Sequence, residues 1–240
     1  MKGFTRDRIR IAVIDTGVDT SLFAPLNGML ISQRNTILMP EGIKQNNRTS
    51  VHGSTVCAII CKYMPFVHIY SIRIFNKDNL MTTSRNLIRA LKWCLIMGIP
   101  IINLSLGVID EREFPRIEEI VKKLIENEQI IISAYSYYGK NVLPASLKNV
   151  VGVNTDPSLQ NYMYYPICNG EKVDFVASSL HRLIKASGEE VYTPLSTSYA
   201  TPTITAAFAR AMASSNERMT RNQLIDEIIQ KWRIPSGRSY

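Results

Sequence analysis

Three short segments of the sequence carry side chains that can do chemistry. Asp15 ends an apolar, β-branched run and is followed by a Thr-Gly pair. His52 opens a His-Gly-Ser turn that leads into an apolar run at helical spacing, and Ser198 lies shortly before Pro202 and an alanine-rich segment. A carboxylate, an imidazole and a hydroxyl are the groups of a nucleophilic triad, in which the base activates the hydroxyl and the acid orients the base.

Each of these residues also has an ordinary structural explanation. An Asp at a strand end often only caps a turn, a single His is usually structural, and a Ser at a helix N-terminus is commonly a cap. An unrelated α/β ligand-binding module would also use such a position, with Asp15 holding a ligand at the carboxyl end of a strand. In that module the three side chains need not meet, whereas a triad requires them to converge.

The elements that must position these residues alternate along the chain. Apolar runs rich in β-branched residues predict five strands, at 9–14, 67–74, 100–105, 129–134 and 149–153. Apolar stripes at helical spacing predict helices at 84–97, at 117–125 and near the end, where Thr220 and Gln223 form a capping box. Near-continuous apolar strands joined by helices predict an α/β fold, a three-layer sandwich with a mostly parallel central sheet.

The domain organisation follows from the same pattern. We expect a single domain over residues 1–240, with its core at about 9–232 and a loose tail at 235–240. Residues 27–50 form the longest stretch with neither periodicity, and this stretch is predicted to be irregular.

Composition limits the classes of partner. The 240 residues are 45% hydrophobic and 20% charged, which is typical of a globular domain. The formal net charge is +8, but the sequence contains no run of about five basic residues. We therefore predict that the basic residues are scattered over a solvated surface and that the chain has no nucleic-acid partner. No stretch of about 18 apolar residues predicts a transmembrane helix, and no secretory signal precedes the first strand. We therefore expect no membrane insertion and a cytoplasmic location.

The cysteines offer little chemistry. Cys57, Cys61, Cys94 and Cys168 show no CxxC spacing, and no His cluster accompanies them. We predict buried free thiols in a reducing compartment and no metal site.

Taken together and in chain order, the three segments resemble the signatures of the subtilisin-like serine peptidases. VIDTGVD at 13–19, HGSTVCA at 52–58 and STSYATP at 196–202 are similar to the Asp, His and Ser motifs of that family. INLSLG at 102–107 resembles the family's substrate-binding strand, and the likeness runs from about residue 9 to 232. The resemblance implies a serine endopeptidase, a compact member without a pro-domain. In it Ser198 attacks the scissile carbonyl, His52 takes the proton and Asp15 fixes the imidazole.

The resemblance also implies where a peptide lies. The main chain of 102–107 would pair with an extended substrate as an added strand. Val142 stands where the family often has Gly, and Tyr135 replaces a small wall residue, so we expect a shallow pocket for a small or modest side chain. The substrate-binding residues implied in this way are Ser105, Leu106, Gly107, Ser133, Ala134, Tyr135 and Val142.

The oxyanion site departs from the family pattern. Tyr137 stands where the family carries an Asn that donates to the developing negative charge. Removing one such donor costs about 10²–10³ in turnover, a figure measured in a member of that family. Three outcomes are open: the Ser198 main-chain N–H acts alone, a hydroxyl of Tyr137, Ser136 or Tyr138 substitutes, or the chain is a weak or inactive pseudo-protease that binds peptides in the same cleft.

Cofactors and substrate complete the expectations. The segment after His52 runs almost directly into the next strand and lacks the oxygen-rich loop with which many relatives bind calcium, so we predict no calcium there and no other cofactor. The implied partner is a peptide or protein substrate, and processing of a leader or precursor peptide is the role we expect for a small enzyme of this kind.

Overall fold

The chain alternates strands and helices around one large sheet. The computed structural model describes residues 8–35, 51–76, 82–136, 142–215 and 217–233. The strands of this described part are β1 Ile9–Asp15, β2 Leu30–Asn35, β3 Val67–Arg73, β4 Ile101–Leu104, β5 Ile130–Ala134, β6 Val151–Thr155, β7 Tyr164–Asn169, β8 Lys172–Ala177, β9 Arg182–Ile184 and β10 Glu190–Tyr192. Its α-helices are α1 Val51–Tyr63, α2 Ser84–Ile96, α3 Phe114–Glu126, α4 Thr197–Ser214 and α5 Arg221–Arg233.

The central sheet has eight strands in the order β2-β3-β1-β4-β5-β6-β8-β7. All neighbours are parallel except β7, which runs antiparallel to β8. The middle strands are buried on both faces, which is why their sequences are near-continuously apolar. Because parallel strands end at the same edge, the residues that follow β1, β4 and β5 are brought together there.

Helices cover both faces of this sheet. One face packs against α1, α4 and α5, and the other face packs against α2 and α3, each over its own apolar cluster. The predicted three-layer α/β sandwich with a mostly parallel sheet is therefore confirmed. The small hairpin of β9 and β10 lies outside the main sheet.

Local sequence signals placed several elements correctly. The five predicted strands correspond to β1, β3, β4, β5 and β6, with ends shifted by one or two residues. Helix α5 begins with the predicted capping box, since the Thr220 N–H donates to Gln223 Oε1 at 2.8 Å and the Gln223 N–H donates to Thr220 Oγ1 at 3.3 Å.

Two expectations were wrong. The stretch 27–50 is not irregular throughout, because Leu30–Asn35 forms the edge strand β2. Its residues are exposed or half-buried, so the apolar run that marks a central strand is missing. Cys168 is exposed on β7, whereas Cys57, Cys61 and Cys94 are buried as expected, and all four are free. Residues 36–50 and the expected tail at 235–240 lie outside the described residues.

No helix in the described part of the chain has the length and apolar character needed to cross a bilayer.

Candidate active site

Asp15 ends strand β1 and lies almost completely buried at the carboxyl edge of the sheet. Its Oδ1 accepts a hydrogen bond from His52 Nδ1 at 2.8 Å and another from the Thr16 N–H at 2.7 Å. Its Oδ2 is buried with no hydrogen-bond partner among the described residues. The carboxylate therefore fixes the orientation of the His52 ring and leaves Nε2 as the ring nitrogen directed away from it.

Helix α1 approaches the turn after β1 closely enough to bring His52 to Asp15. A Cβ added at Gly53 would lie 2.2 Å from the Gly17 carbonyl oxygen and 3.2 Å from Asp15 Oδ1, so only glycine fits. The Gly53 N–H donates to Thr16 Oγ1 at 3.0 Å, which ties the first turn of the helix to the same turn. The Gly that follows His52 in the sequence is thus explained by this contact.

The electrostatic environment of His52 favours its charged form. Burial by itself lowers the pKa of His52, but the charge of Asp15 and the hydrogen bond to it outweigh burial, and the pKa is raised above the ordinary 6.5. An imidazole in this state binds a proton more tightly than a free one does. This is the property that a general base in hydroxyl activation requires.

Ser198 lies in the first turn of the 18-residue helix α4. Pro202 has no N–H to donate back to the Ser198 carbonyl. Ser105 fills this gap, because its hydroxyl donates to the Ser198 carbonyl oxygen at 2.8 Å. The Ser198 N–H donates to the hydroxyl of Ser196, the N-cap residue, at 3.2 Å.

The Ser198 hydroxyl and the His52 ring lie at the same edge of the sheet. The ring of Tyr199, the residue after Ser198, has its centroid 5.2 Å from that of His52. The Ser198 hydroxyl proton is donated to the Ser105 carbonyl oxygen at 3.1 Å. Transfer of this proton to His52 therefore requires the hydroxyl to turn away from the Ser105 carbonyl oxygen, and catalytic hydrogen bonds of this kind often tighten only when substrate binds.

Sequence reasoning missed the residues that hold Ser105. Asn103 lies fully buried in β4, accepts from Thr205 of α4 at 2.8 Å and donates to Ser105 Oγ at 3.1 Å. A polar residue inside a buried apolar strand was the signal that could have found Asn103. Thr197 adds a further contact, because its hydroxyl donates to the Tyr135 carbonyl oxygen at 2.8 Å.

The expected substrate strand is shorter than predicted. Residues 102–104 belong to β4, which pairs with β1 on one side and β5 on the other, so they have no open edge for a peptide. Only Ser105, Leu106 and Gly107 lie beyond the paired strand, and there the Ser133 hydroxyl donates to the Leu106 carbonyl oxygen at 3.4 Å. The prediction for 102–104 was wrong because the central position of this strand uses both of its edges.

Val142 closes the space beside Gly107. A Cβ added at Gly107 would lie 2.1 Å from Val142 Cγ2, so the valine methyl packs directly on the glycine. The pairing of Val108 with Leu143, through main-chain hydrogen bonds of 2.8 and 3.0 Å, holds the two segments together. Val142 is 3% exposed and fills this position.

Tyr135 lies on the neighbouring part of the sheet. Its ring packs over Gly152 of β6, and its hydroxyl donates to Asp174 Oδ2 at 3.0 Å. Asp174 is also paired with Lys172 at 2.6 Å. Burial, followed by the charge of Asp174, raises the pKa of Tyr135, so the phenol stays protonated. The side chain is held toward β6 and β8, and Val142 supplies the contact with Gly107.

The remaining predicted residues are partly covered by the structure. Ala134 is buried at the end of β5, and Ser136 lies two residues further along the chain. Tyr137 and Tyr138, two of the three expected oxyanion donors, lie outside the described residues. Their role stays a prediction.

Comparison with known proteins identifies the family. A profile described as the Subtilase family (Peptidase S8) matches residues 6–235. The chain belongs to the subtilase family. This subtilase is 22% identical over 245 residues to the Major intracellular serine protease of Bacillus subtilis (strain 168), a match that spans 95% of this chain and 75% of that protein.

Solved structures show the same fold. A mutant of the protease domain of PatA matches this subtilase with a TM-score of 0.71 at 19% identity, over 99% of this chain and 92% of that one. A mutant of the epidermin leader peptide processing serine protease from Staphylococcus aureus matches with a TM-score of 0.70 at 16% identity, over 98% of this chain and 73% of that one. At these identities the likeness shows a shared architecture.

Replacing Asp15 by Asn tests the electrostatics of this subtilase without any activity assay. The variant keeps the burial that lowers the pKa of His52 and removes the charge that raises it, so the pKa of His52 should fall below its wild-type value. NMR titration of the imidazole signals measures this directly. His68 is an internal control, because burial, Arg10 and Arg8 lower its pKa and the substitution changes none of these. An unchanged titration of His52 would contradict the assignment.

Proposed function

We propose that this subtilase is a serine endopeptidase in which Asp15, His52 and Ser198 cleave peptide bonds. The observation that carries the proposal is the buried Asp15–His52 hydrogen bond beside the helix turn that presents Ser198. Membership of the subtilase family supports a peptidase activity on peptide or protein substrates.

The mechanism follows from the chemistry of the three side chains. Ser198 Oγ bonds to the carbonyl carbon while its proton passes to His52 Nε2, and Asp15 stabilises the imidazolium. His52 then gives the proton to the leaving amine as the C–N bond breaks. Water hydrolyses the acyl-enzyme by the same route.

Because His52 must be neutral to accept the proton, kcat/KM should increase as the pH rises through the raised pKa of His52. At pH values below that pKa, kcat/KM should be low.

Labelling with a fluorophosphonate probe tests the nucleophile. The wild type should react covalently at Ser198, and the Ser198→Ala variant should not react, since it has no hydroxyl to attack phosphorus. Intact-mass spectrometry reports both results. Equal labelling of the two proteins, or none of the wild type, would refute the proposal.

We propose a leader or precursor peptide as the substrate. Support comes from the neighbours in fold, which include a protease named for epidermin leader peptide processing and one named for prenylagaramide maturation. A processing enzyme cuts at few sites, whereas a degradative enzyme cuts at many. Digestion of a proteome-derived peptide library should therefore give a narrow set of cleavage sites, and broad cleavage would exclude the processing role.

The name of the Bacillus relative supports an intracellular, cytoplasmic site of action.

The side chain before the scissile bond is expected to be small. Val142 is packed on Gly107, and this contact leaves no depth between the two segments. Replacing Val142 by Gly should raise kcat/KM for a substrate with Phe at this position, relative to Ala, by about 10-fold or more, because one or two methylene groups in a pocket correspond to that range. The Val142→Ala variant should give an intermediate ratio. A wild type that strongly prefers Arg, Lys or Phe would overturn this assignment of the pocket.

We further propose that the enzyme works without calcium at the position after helix α1. This helix ends at Tyr63 and β3 begins at Val67. Calcium takes about 6–8 oxygen ligands, and so short a connection cannot supply them. Adding a strong chelator should leave both the melting temperature and kcat unchanged. A fall in melting temperature of several degrees, restored by calcium, would show that a calcium site exists.

Peptide binding without cleavage is the second candidate function. It is favoured by one observation: the Ser198 N–H, the main-chain oxyanion donor expected from the family, is already bonded to the hydroxyl of Ser196, where the family carries Gly. The Ser196 side chain must move before this donor can serve a substrate.

Replacing Ser196 by Gly separates the two functions. The variant removes the hydrogen bond that occupies the Ser198 N–H, and such a bond has a net value of about 1 kcal/mol, so an active enzyme should gain about 5-fold in kcat/KM as the donor becomes available. A peptide-binding protein without activity should show no cleavage in either form, while its affinity for the peptide persists. Lower activity in the variant would mean that the Ser196 hydroxyl assists the reaction.

A further inference from the structure

His181 lies fully buried between β8 and β9, in a segment that none of the sequence motifs includes. Its Nε2 lies 3.0 Å from the Tyr199 carbonyl oxygen, and its Nδ1 lies 2.8 Å from the Tyr63 hydroxyl. A carbonyl oxygen can only accept, so Nε2 carries the proton and Nδ1 accepts from Tyr63. Both ring nitrogens are therefore satisfied by one defined tautomer.

The His181 ring is neutral near pH 7. Burial lowers the pKa of His181 to about 4, an effect that the nearby charge of Lys62 reinforces. Burial also raises the pKa of Tyr63 to about 12, which keeps its hydroxyl as a donor. The hydrogen bonds of the pair thus persist through the pH range in which His52 titrates.

These bonds link the two helices that carry the reacting groups. Tyr63 is the last residue of α1, whose first turn holds His52. Tyr199 follows Ser198 in the first turn of α4, and its ring packs against the ring of His52. The main chain of His181 is itself anchored, because its N–H donates to Thr193 Oγ1 at 2.8 Å, just before the nucleophile segment.

We propose that Tyr63 and His181 are positioning residues that hold the first turn of α4, and with it Ser198, at a fixed distance from His52. The proposal rests on the serine peptidase function described above. The pair acts on α4 through the Tyr199 carbonyl oxygen and through Thr203 Oγ1, which lies 3.2 Å from His181 Nε2. Small displacements of reacting groups can cost about 10²-fold in rate even when the change lies away from the chemistry.

Two substitutions at His181 with opposite hydrogen-bonding capacity test this role. Leu fills a similar volume but makes no hydrogen bond, whereas Gln carries both an N–H donor group and a carbonyl acceptor, as the neutral imidazole carries a donor and an acceptor nitrogen. For H181L we expect kcat and the rate of fluorophosphonate labelling to fall by about 10- to 100-fold, with KM within about 2-fold of wild type. H181Q should recover most of the rate, and Tyr63→Phe should lose part of it.

Leu224→Ala is the matched control for stability. Leu224 is buried in α5, within the apolar cluster that packs α1, α4 and α5 on the sheet. It lines a pocket with Pro100 and with Met212, which belongs to the C-terminal part of α4. The Leu224→Ala variant should have a lower melting temperature than the wild type, and its kcat should be unchanged at temperatures where the protein is folded. H181L with wild-type kcat, or H181Q with a loss equal to that of H181L, would overturn the positioning role.

Crystal structures provide a readout that does not depend on activity. In H181L the first turn of α4 should move relative to His52, and in H181Q it should not. If wild-type protein neither labels nor cleaves, the proposed function fails while this displacement still tests the positioning role. An unmoved Ser198 in H181L overturns the positioning role whatever the activity.

Discussion

The site depends first on how closely helix α1 approaches the end of strand β1. Gly53 lies against the Gly17 carbonyl, and any larger residue would push the helix back. The Asp15–His52 hydrogen bond of 2.8 Å exists only because this approach is possible. A backbone contact between two glycines therefore sets the distance between two side chains that carry chemistry, and it does so without contributing a functional group.

Helix α4 is docked to the same edge of the sheet by short hydroxyl side chains. Ser105 bonds the Ser198 carbonyl, Thr197 bonds the Tyr135 carbonyl and Thr205 bonds Asn103. Each such bond contributes only about 1 kcal/mol to stability, but leaving a buried partner unsatisfied costs about 1–3 kcal/mol. Their value lies in geometry, since short side chains with one donor tolerate little variation in distance. Pro202 makes one of these contacts necessary by removing the helical donor.

The histidines of this protein show how the surroundings divide one residue type into different roles. His52 is half-exposed beside a buried carboxylate and has a raised pKa. Burial lowers the pKa of His181 to about 4 and the nearby Lys62 adds to this effect, while burial and two arginines lower the pKa of His68. A carboxylate next to the ring raises its pKa and suits it to act as a base, whereas burial without a carboxylate makes the ring a fixed hydrogen-bonding element.

The sequence by itself determined the α/β class, the five central strands and the α5 capping box, and it singled out Asp15, His52 and Ser198 as candidates, because periodicity, caps and motifs are local along the chain. Only the tertiary structure decided that 30–35 form an edge strand, that Val142 packs on Gly107 and that the Ser198 hydroxyl faces the Ser105 carbonyl. It also decided that His181 joins α1 to α4. These contacts join residues far apart in the sequence, and their geometry is set by how the layers pack.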